Sequence, residues 1–454
     1  MKNRNIIITT ILLALGSLAL PQRTQAVSPA PDGFYPGLNT AEGQNALLSL
    51  TTGTANTAVG WFSLKSNAEG SFNTATGAGA LLVNTADNNT AFGAVALFFN
   101  TIGTANTAVG AAALFNDTTG GDNTATGTDA LYSNTDASFN TATGFQALKN
   151  NTAGNNTATG ADALLFNTTG VGNTAHGNNA LRNNIDGTLN TANGVQGLLN
   201  NTHGTLNTST GAATLITNTT GSSNTADGVN ALFSTNGDNN TAVGKGALGA
   251  STTGNNNTAL GFGAGSGVTA ASNVICIGAN VAGNDVDNSC YIGNIFGDTS
   301  SGGTAVFVNT NGRLGTTTSS RRFKDSIKPM DQASEALFAL KPVAFRYKKE
   351  IDPAGTSQFG LVAEDVEAVN PDLVVRDKDG KAYSVRYEQV NAMLLNEFLK
   401  AHRKIQEQEA TMTQLRKEME TVVAHAEEQD SKIQKVSDQI EINKPRSGVV
   451  SNEP

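Results

Sequence analysis

Charge is scarce in this sequence. Only 15% of its 454 residues are Asp, Glu, Lys or Arg, and only 6% are aromatic. A chain kept unfolded by its own solvation is normally charge-rich, so a disordered polymer is excluded. The net charge is −9. Phosphate binding needs a surplus of Lys and Arg, so a nucleic-acid partner is excluded too. Histidine is rare: His176, His203, His402 and His425 stand apart, in no metal-ligand pattern, and no metal or other cofactor is expected. Acidic residues between 27 and 318 occur singly and at no fixed place in the repeat described below. They spell neither the paired carboxylates of a glycosidase nor a calcium-binding repeat.

Long apolar runs are missing as well, apart from Ile6 to Leu20 at the start. Lys2 and Arg4 precede that run and Thr24-Gln25-Ala26 follow it, which is the layout of an export signal covering residues 1–26. The mature chain would begin near Val27 and have no membrane span of its own. Cysteine is limited to Cys276 and Cys290, in the parallel segments Asn273-Val-Ile-Cys-Ile-Gly278 and Asn288-Ser-Cys-Tyr-Ile-Gly293. Stacked in register as strands, these would point their thiols to opposite faces, so free, buried thiols are expected rather than a bridge.

What the sequence does contain is repetition. Asn-Thr-(Ala/Ser)-x-Gly occurs fourteen times, from Asn39 to Asn257, always 16 or 17 residues apart. Four residues after the Gly comes Leu in thirteen copies, with Gly265 the exception, and a small residue precedes that position every time. Such a period is too short for helical-pair repeats and fits two short strands and two turns, which makes a parallel β-solenoid. The Leu column would form a buried stripe, the Ala column would let coils approach, and the Asn and Thr columns would form hydrogen-bonded ladders. Asn-x-Thr/Ser sequons follow the same period, which marks them as ladder and turn residues rather than glycosylation sites. A coil holding only Leu and Ala has a thin core, so several chains are expected to associate along the rod.

The repeat resembles the head of trimeric autotransporter adhesins of the YadA type, over about residues 39–295. The resemblance implies a left-handed parallel β-roll built from three chains. This repeat is slightly longer than the head's, and that family's membrane barrel is not expected in this sequence.

Composition changes near residue 318. Residues 27–318 contain 5 Lys/Arg and 15 Asp/Glu, whereas residues 319–454 contain 21 and 23. The small domain that follows reads as strands over Val343–Tyr347 and Gln358–Val362, and as short helices over Ala333–Leu340 and Ala363–Val369. A hairpin is expected around Asp377-Lys-Asp-Gly380. From Asn391 a heptad runs through Leu394, Phe398, Ala401, Ile405, Gln408, Met412, Leu415, Met419, Val422, Ala426, Gln429, Ile433, Val436 and Ile440. Alternating steps of four and three predict a coiled coil, ended by Pro445.

One stretch carries chemistry: Thr318-Ser319-Ser320-Arg321-Arg322-Phe323-Lys324. A Ser hydroxyl becomes a nucleophile when a base takes its proton, and a Lys can be that base when burial and neighbouring cations disfavour its charge. Arg321 and Arg322 are such cations, and Phe323 is suited to excluding water. By composition alone this is also how a Ser-rich junction looks.

Residues 319–410 resemble the C-terminal intramolecular chaperone of phage endosialidases and other tail spikes. The matching pieces are Ser319-Ser-Arg-Arg322-Phe-Lys324-Asp-Ser-Ile327, Leu340-Lys-Pro-Val-Ala-Phe-Arg-Tyr347, Gly360-Leu-Val-Ala-Glu-Asp-Val366, Asn370-Pro371 and Tyr387. The family pattern Ser-Asp-x-Arg-x-Lys maps its nucleophile to Ser319, its Arg to Arg322 and its base to Lys324. Ser320 stands where the family has Asp and is a second candidate nucleophile. The resemblance implies a homotrimer whose chaperone cuts the chain between Thr318 and Ser319.

The expected fold is therefore mainly β: a left-handed β-roll-like trimeric solenoid, then a small α+β chaperone domain and a coiled-coil helix. The expected divisions are a signal peptide at 1–26, a linker at 27–38, the solenoid at 39–272 and a connecting β-segment at 273–318. They continue with a self-cleaving chaperone at 319–390, the coiled-coil helix at 391–443 and a disordered tail at 444–454. The expected function is an exported, extracellular or cell-surface fibre that cleaves only itself. A glycan-binding or polysaccharide-degrading tail spike is the alternative, and a surface glycan or other cell-surface ligand is the partner either would take.

Overall fold

A computed structural model describes residues 36–298 and 300–443. The expected export signal and the expected tail at 444–454 lie outside the described residues. The chain divides into two compact units, the division falling at residues 299/300.

The first unit is a parallel β-solenoid. Sixteen three-residue strands, β1 (Thr40–Glu42) to β16 (Cys290–Ile292), form one parallel sheet in chain order. At about 4.8 Å per strand the stack is about 70 Å long. The register is that of the repeat itself: Thr57 pairs with Thr74 and Ala58 with Ala75. The sheet continues through β15 (Ile275–Ile277) and β16, two strands past the last copy of the motif. No proline occurs between Pro36 and Pro329, as a backbone ladder that uses its N–H groups requires.

Strands β1 to β14 turn Ala inward, or Ser209 in β11, and their two flanking residues outward, while β15 and β16 turn Cys276 and Tyr291 inward. The Leu column, from Leu64 to Leu232, is fully buried against the Ala columns. The second side of the rung differs from the expected second strand. It is a run of turns that still bonds rung to rung, with Leu64 N–H donating to the Ala80 carbonyl and Ser66 N–H to that of Leu82, both at 3.0 Å. All thirteen Leu residues sit at φ between 48° and 52°, the left-handed region. That conformation costs an L-residue about 1–2 kcal/mol, against about 1.5–3 kcal/mol gained by burying the side chain. The margin per rung is thin.

Two glycines show how tightly the coils are stacked. Gly110 has φ +134°, and a Cβ there would lie 2.6 Å from the Gly127 carbonyl carbon of the next rung. Gly265 stands where the column has Leu, and a Cβ there would meet Leu248 Cδ2 at 2.8 Å, the neighbouring Leu filling the space.

The motif Asn residues form the expected ladder. Asn190 N–H donates to Asn173 Oδ1 at 3.0 Å, and its Nδ2 donates to the Gly204 carbonyl at 2.8 Å. A second buried column lies eleven residues after the motif Asn: Asn201 Nδ2 donates to Asn184 Oδ1 at 2.8 Å and to the same Gly204 carbonyl at 2.9 Å. The motif Thr, by contrast, faces outward and its hydroxyl makes no hydrogen bond among the described residues, which corrects the expected Thr ladder. The Thr hydroxyls that bridge rungs belong to another column, as where Thr101 Oγ1 donates to the Thr118 carbonyl at 2.8 Å. Near the end of the stack Asp285 accepts the N–H groups of Thr269, Ala270 and Ala271 and the Thr269 hydroxyl. These bonds, the Thr269 hydroxyl foremost, hold its carboxyl well below the usual range.

The second unit begins with an antiparallel hairpin, β17 (Val306–Val308) and β18 (Leu314–Thr316). Next come a 3-10 turn at Arg321–Phe323, a 3-10 stretch at Asp331–Ala339 and the antiparallel pair β19 (Val343–Phe345) and β20 (Gln358–Gly360). Helix α1 (Ala363–Val369) and the hairpin of β21 (Val374–Arg376) and β22 (Ala382–Val385) follow, and helix α2 (Tyr387–Ile442) runs 56 residues. The helix at Ala363–Val369 and the hairpin fall where the sequence pattern places them; the two expected strands are shorter, and the helix expected at Ala333–Leu340 is a 3-10 stretch. The unit's small core is Val366, Leu373, Val374, Val385 and Met393. The heptad positions beyond that core are exposed, with Phe398, Met412 and Met419 each at least 65% accessible.

Candidate functional site

The segment between the hairpin and the Asp331–Ala339 stretch contains the candidate chemistry. The 3-10 turn at Arg321–Phe323 reverses the chain: Phe323 N–H donates to the Ser320 carbonyl at 3.0 Å and Lys324 N–H to that of Arg321 at 3.1 Å. That reversal brings two residues five apart together, and Lys324 Nζ donates to Ser319 Oγ at 3.1 Å. Ser320 forms no side-chain bond to Lys324; its N–H donates to Thr318 Oγ1 at 3.4 Å. Arg322 places its guanidinium 4.6 Å from the Phe323 ring centre.

Burial does not follow expectation. Thr318, Ser319, Ser320, Arg321, Arg322 and Lys324 are all exposed, and Phe323 is 60% accessible. A single chain therefore has nothing packed over the pair, and Phe323 alone does not exclude water from it.

A clamp that the sequence reading missed positions the 3-10 stretch on α2. Buried Ser334 donates to Glu397 Oε1 at 2.5 Å and accepts from Asn396 Nδ2 at 2.7 Å. Lys400 Nζ donates to Glu397 at 2.8 Å. Lys400 first, then Ser334, hold the Glu397 carboxyl below its ordinary range, and Glu397 in turn raises the Lys400 ammonium. The Tyr387 hydroxyl accepts the N–H of Leu361 at 3.1 Å, tying the start of α2 to the end of β20.

Elsewhere the cysteines are free, as expected, and face opposite ways: Cys276 is buried but Cys290 is exposed, which corrects the expectation of two buried thiols. Cys290 stands at the outward first position of β16, opposite Ile275. Burial, with a smaller contribution from Cys290, pushes the Cys276 thiol up. His203 is not isolated, since its Nδ1 lies 2.6 Å from Asp186 Oδ1 one rung away. Among the described residues no cluster of His, Cys, Asp and Glu is placed to hold a metal, and no helix is long and apolar enough to cross a membrane.

No curated protein and no solved structure matches this chain. Residues 319–375, opening on the Ser319–Lys324 pair, match the family model described as the chaperone of endosialidase, so the chain carries that domain after its solenoid.

Proposed function

We propose that this is an exported, trimeric surface fibre whose C-terminal module gathers three chains, sets the register of their solenoids and then cuts itself off between Thr318 and Ser319. The observation that carries the reading is the 3.1 Å contact between Lys324 Nζ and Ser319 Oγ at the first residues of the chaperone match. The exposed heptad seam of α2 supports trimer assembly, because an apolar stripe of that length is covered when copies pair. In this reading residues 391–443 form the coiled coil, residues 319–390 the chaperone and residues 273–318 the join to the fibre.

The reaction balances within the chain. Ser319 Oγ attacks the Thr318 carbonyl carbon while Lys324 takes the hydroxyl proton. Lys324 gives that proton to the Ser319 nitrogen as the C–N bond breaks, so the nitrogen leaves as an amine and the Thr318 acyl group passes to Oγ as an ester. Water then hydrolyses the ester, giving a Thr318 carboxylate and a free Ser319 hydroxyl. The step needs an unprotonated amine at Lys324. The exposed pair of a single chain offers no dry surroundings, and three chains closing over it would supply them. Cutting thus follows assembly, and the fibre is left kinetically trapped without the clamp that guided it. The fibre's ligand is a surface glycan or other cell-surface group.

Denaturing gels and mass spectrometry of the secreted product test this. Wild type should give a new N-terminus at Ser319, while Ser319→Ala and Lys324→Ala should stay full-length and still form trimers. Normal fragments from both variants would end the proposal.

A further inference from the structure

The outward side of the strand sheet is nearly free of charge. Its two columns are the first and third residues of each strand. The first column is Thr from β1 to β14, followed by Ile275 and Cys290. The third column exposes apolar residues again and again, among them Val59, Phe92, Val109, Val243, Leu260 and Ile277. Glu42 and Asp227 are the only acidic residues in either column, which contain no Lys or Arg. Acidic residues collect instead in the turn-rich end of the rung, as at Glu69, Asp87, Asp122 and Asp136.

We infer that this Thr face lines the three-fold axis of the fibre, against the same face of two further copies of the chain. The inference rests on the trimer reading and adds which surface the copies share. Copies related by an axis parallel to the rod meet at equal height, so a residue near the axis faces its own duplicates. A charge there would face like charges, which destabilises directly opposed strands. The axial face must therefore be neutral, and this one is so along nearly its whole length. Its period is compatible with that contact. The face repeats once per rung, about 4.8 Å, and a copy of the same rod matches that spacing from end to end. Contact would also cover aliphatic side chains that a lone rod leaves in water.

On the side carrying Phe98, Phe115 and Tyr132, these three rings already pack on one another within one chain. They stack at 5.3 and 5.1 Å, and Lys149 lies 2.7 Å from Asp129.

Cys290 is a native reporter of the arrangement. It is exposed on the Thr face, so three copies would meet near the axis, whereas Cys276 points into the core. The test oxidises the full-length chain with copper phenanthroline and reads non-reducing gels beside the mass from light scattering. Covalent dimers that vanish in Cys290→Ser and persist in Cys276→Ser are expected. In the Cys290→Ser background, Thr143→Cys should cross-link likewise and Thr119→Cys, exposed in the turn-rich end, should not. A trimer in which neither Cys290 nor Thr143→Cys cross-links overturns the inference and leaves the trimer standing. The same holds for a trimer in which Thr143→Cys accepts a bulky polyethylene-glycol maleimide as fast as Thr119→Cys, since the face would then be open, as a glycan groove would be. A monomeric mass overturns the trimer reading, and this inference with it.

Discussion

Asn134 Nδ2 donates to Asp117 Oδ1 at 2.9 Å, fixing a carboxyl group inside a buried column that is otherwise amides and hydroxyls. Burial dominates its surroundings and pushes the Asp117 carboxyl from 3.8 up to about 7. Below about pH 4 the group is neutral both folded and unfolded, and it carries no penalty. From about pH 4 to about 7 the unfolded side chain ionises while the folded one keeps its proton, so stability falls as pH rises. Above that window the loss is complete, at about 4 kcal/mol per chain for a shift of roughly three pH units. Asp117→Asn restores the amide column. It is expected to raise the unfolding midpoint of the full chain in guanidinium at pH 8 and to leave it nearly unchanged at pH 4. An equal gain at both pH values would show that the carboxyl ionises freely in the folded rod.

The Leu column yields a test that inverts a usual rule. Leu148 is fully buried at φ 52°. Truncating a buried Leu to Ala costs about 2–5 kcal/mol, and Leu148→Ala should fall in that range by the same unfolding measurement. Gly ordinarily stabilises less than Ala by about 0.5–1 kcal/mol, but in the left-handed region it is freed of the Cβ clash. Leu148→Gly is therefore expected to be no less stable than Leu148→Ala. A clearly weaker Gly variant would mean that this backbone conformation carries no strain.

These two residues also show what the sequence makes legible. The Leu column is visible because one residue type recurs at one spacing, and burial follows directly. Its left-handed backbone is not visible, since nothing in Leu as a residue type favours positive φ; stacking against neighbouring rungs imposes it. The strand beside it is legible for the opposite reason, because Thr-Ala-x alternates as a half-buried strand does. The second Asn column is harder to read because Asp117, Thr235 and Ser251 interrupt it and Leu50 and Val268 end it. What the positions share is a place in the hydrogen-bond ladder rather than an identity. The Ser319–Lys324 contact could be anticipated because a short turn joins residues five apart. The Ser334–Glu397 clamp could not, since 63 residues separate its partners and only the packing of the Asp331–Ala339 stretch on α2 brings them together.

Ser320 provides a sharper test of the cleavage roles than deletion of the pair. Lys324 bonds Ser319 and forms no bond to Ser320. Ser320→Ala should therefore cut at the same bond, with the new N-terminus still at Ser319 by mass spectrometry. Lys324→Ala should slow cutting by about 10²–10⁴, the contribution of a positioned general base. A Ser320→Ala chain that stays intact while Ser319→Ala is cut would move the nucleophile one residue on.

The long helix provides the last test, because its length is inconsistent with standing alone. Helix α2 runs 56 residues, yet beyond Met393 its heptad positions are exposed to water. Most helical stability in a protein comes from packing an apolar face rather than from propensity. A single chain offers that face no cover, so the helix and the trimer should form together. Leu415→Asp with Val422→Asp places carboxylates at two seam positions where each would meet its own copies. In the uncut Ser319→Ala background, these changes are expected to give a monomeric mass by sedimentation and a marked loss of helical circular dichroism. Leu373 and Val385 belong to the small core, which the substitutions do not touch, so near-ultraviolet signals from that domain should survive. A variant that keeps both full helicity and a trimeric mass would show that the seam does not hold the chains together.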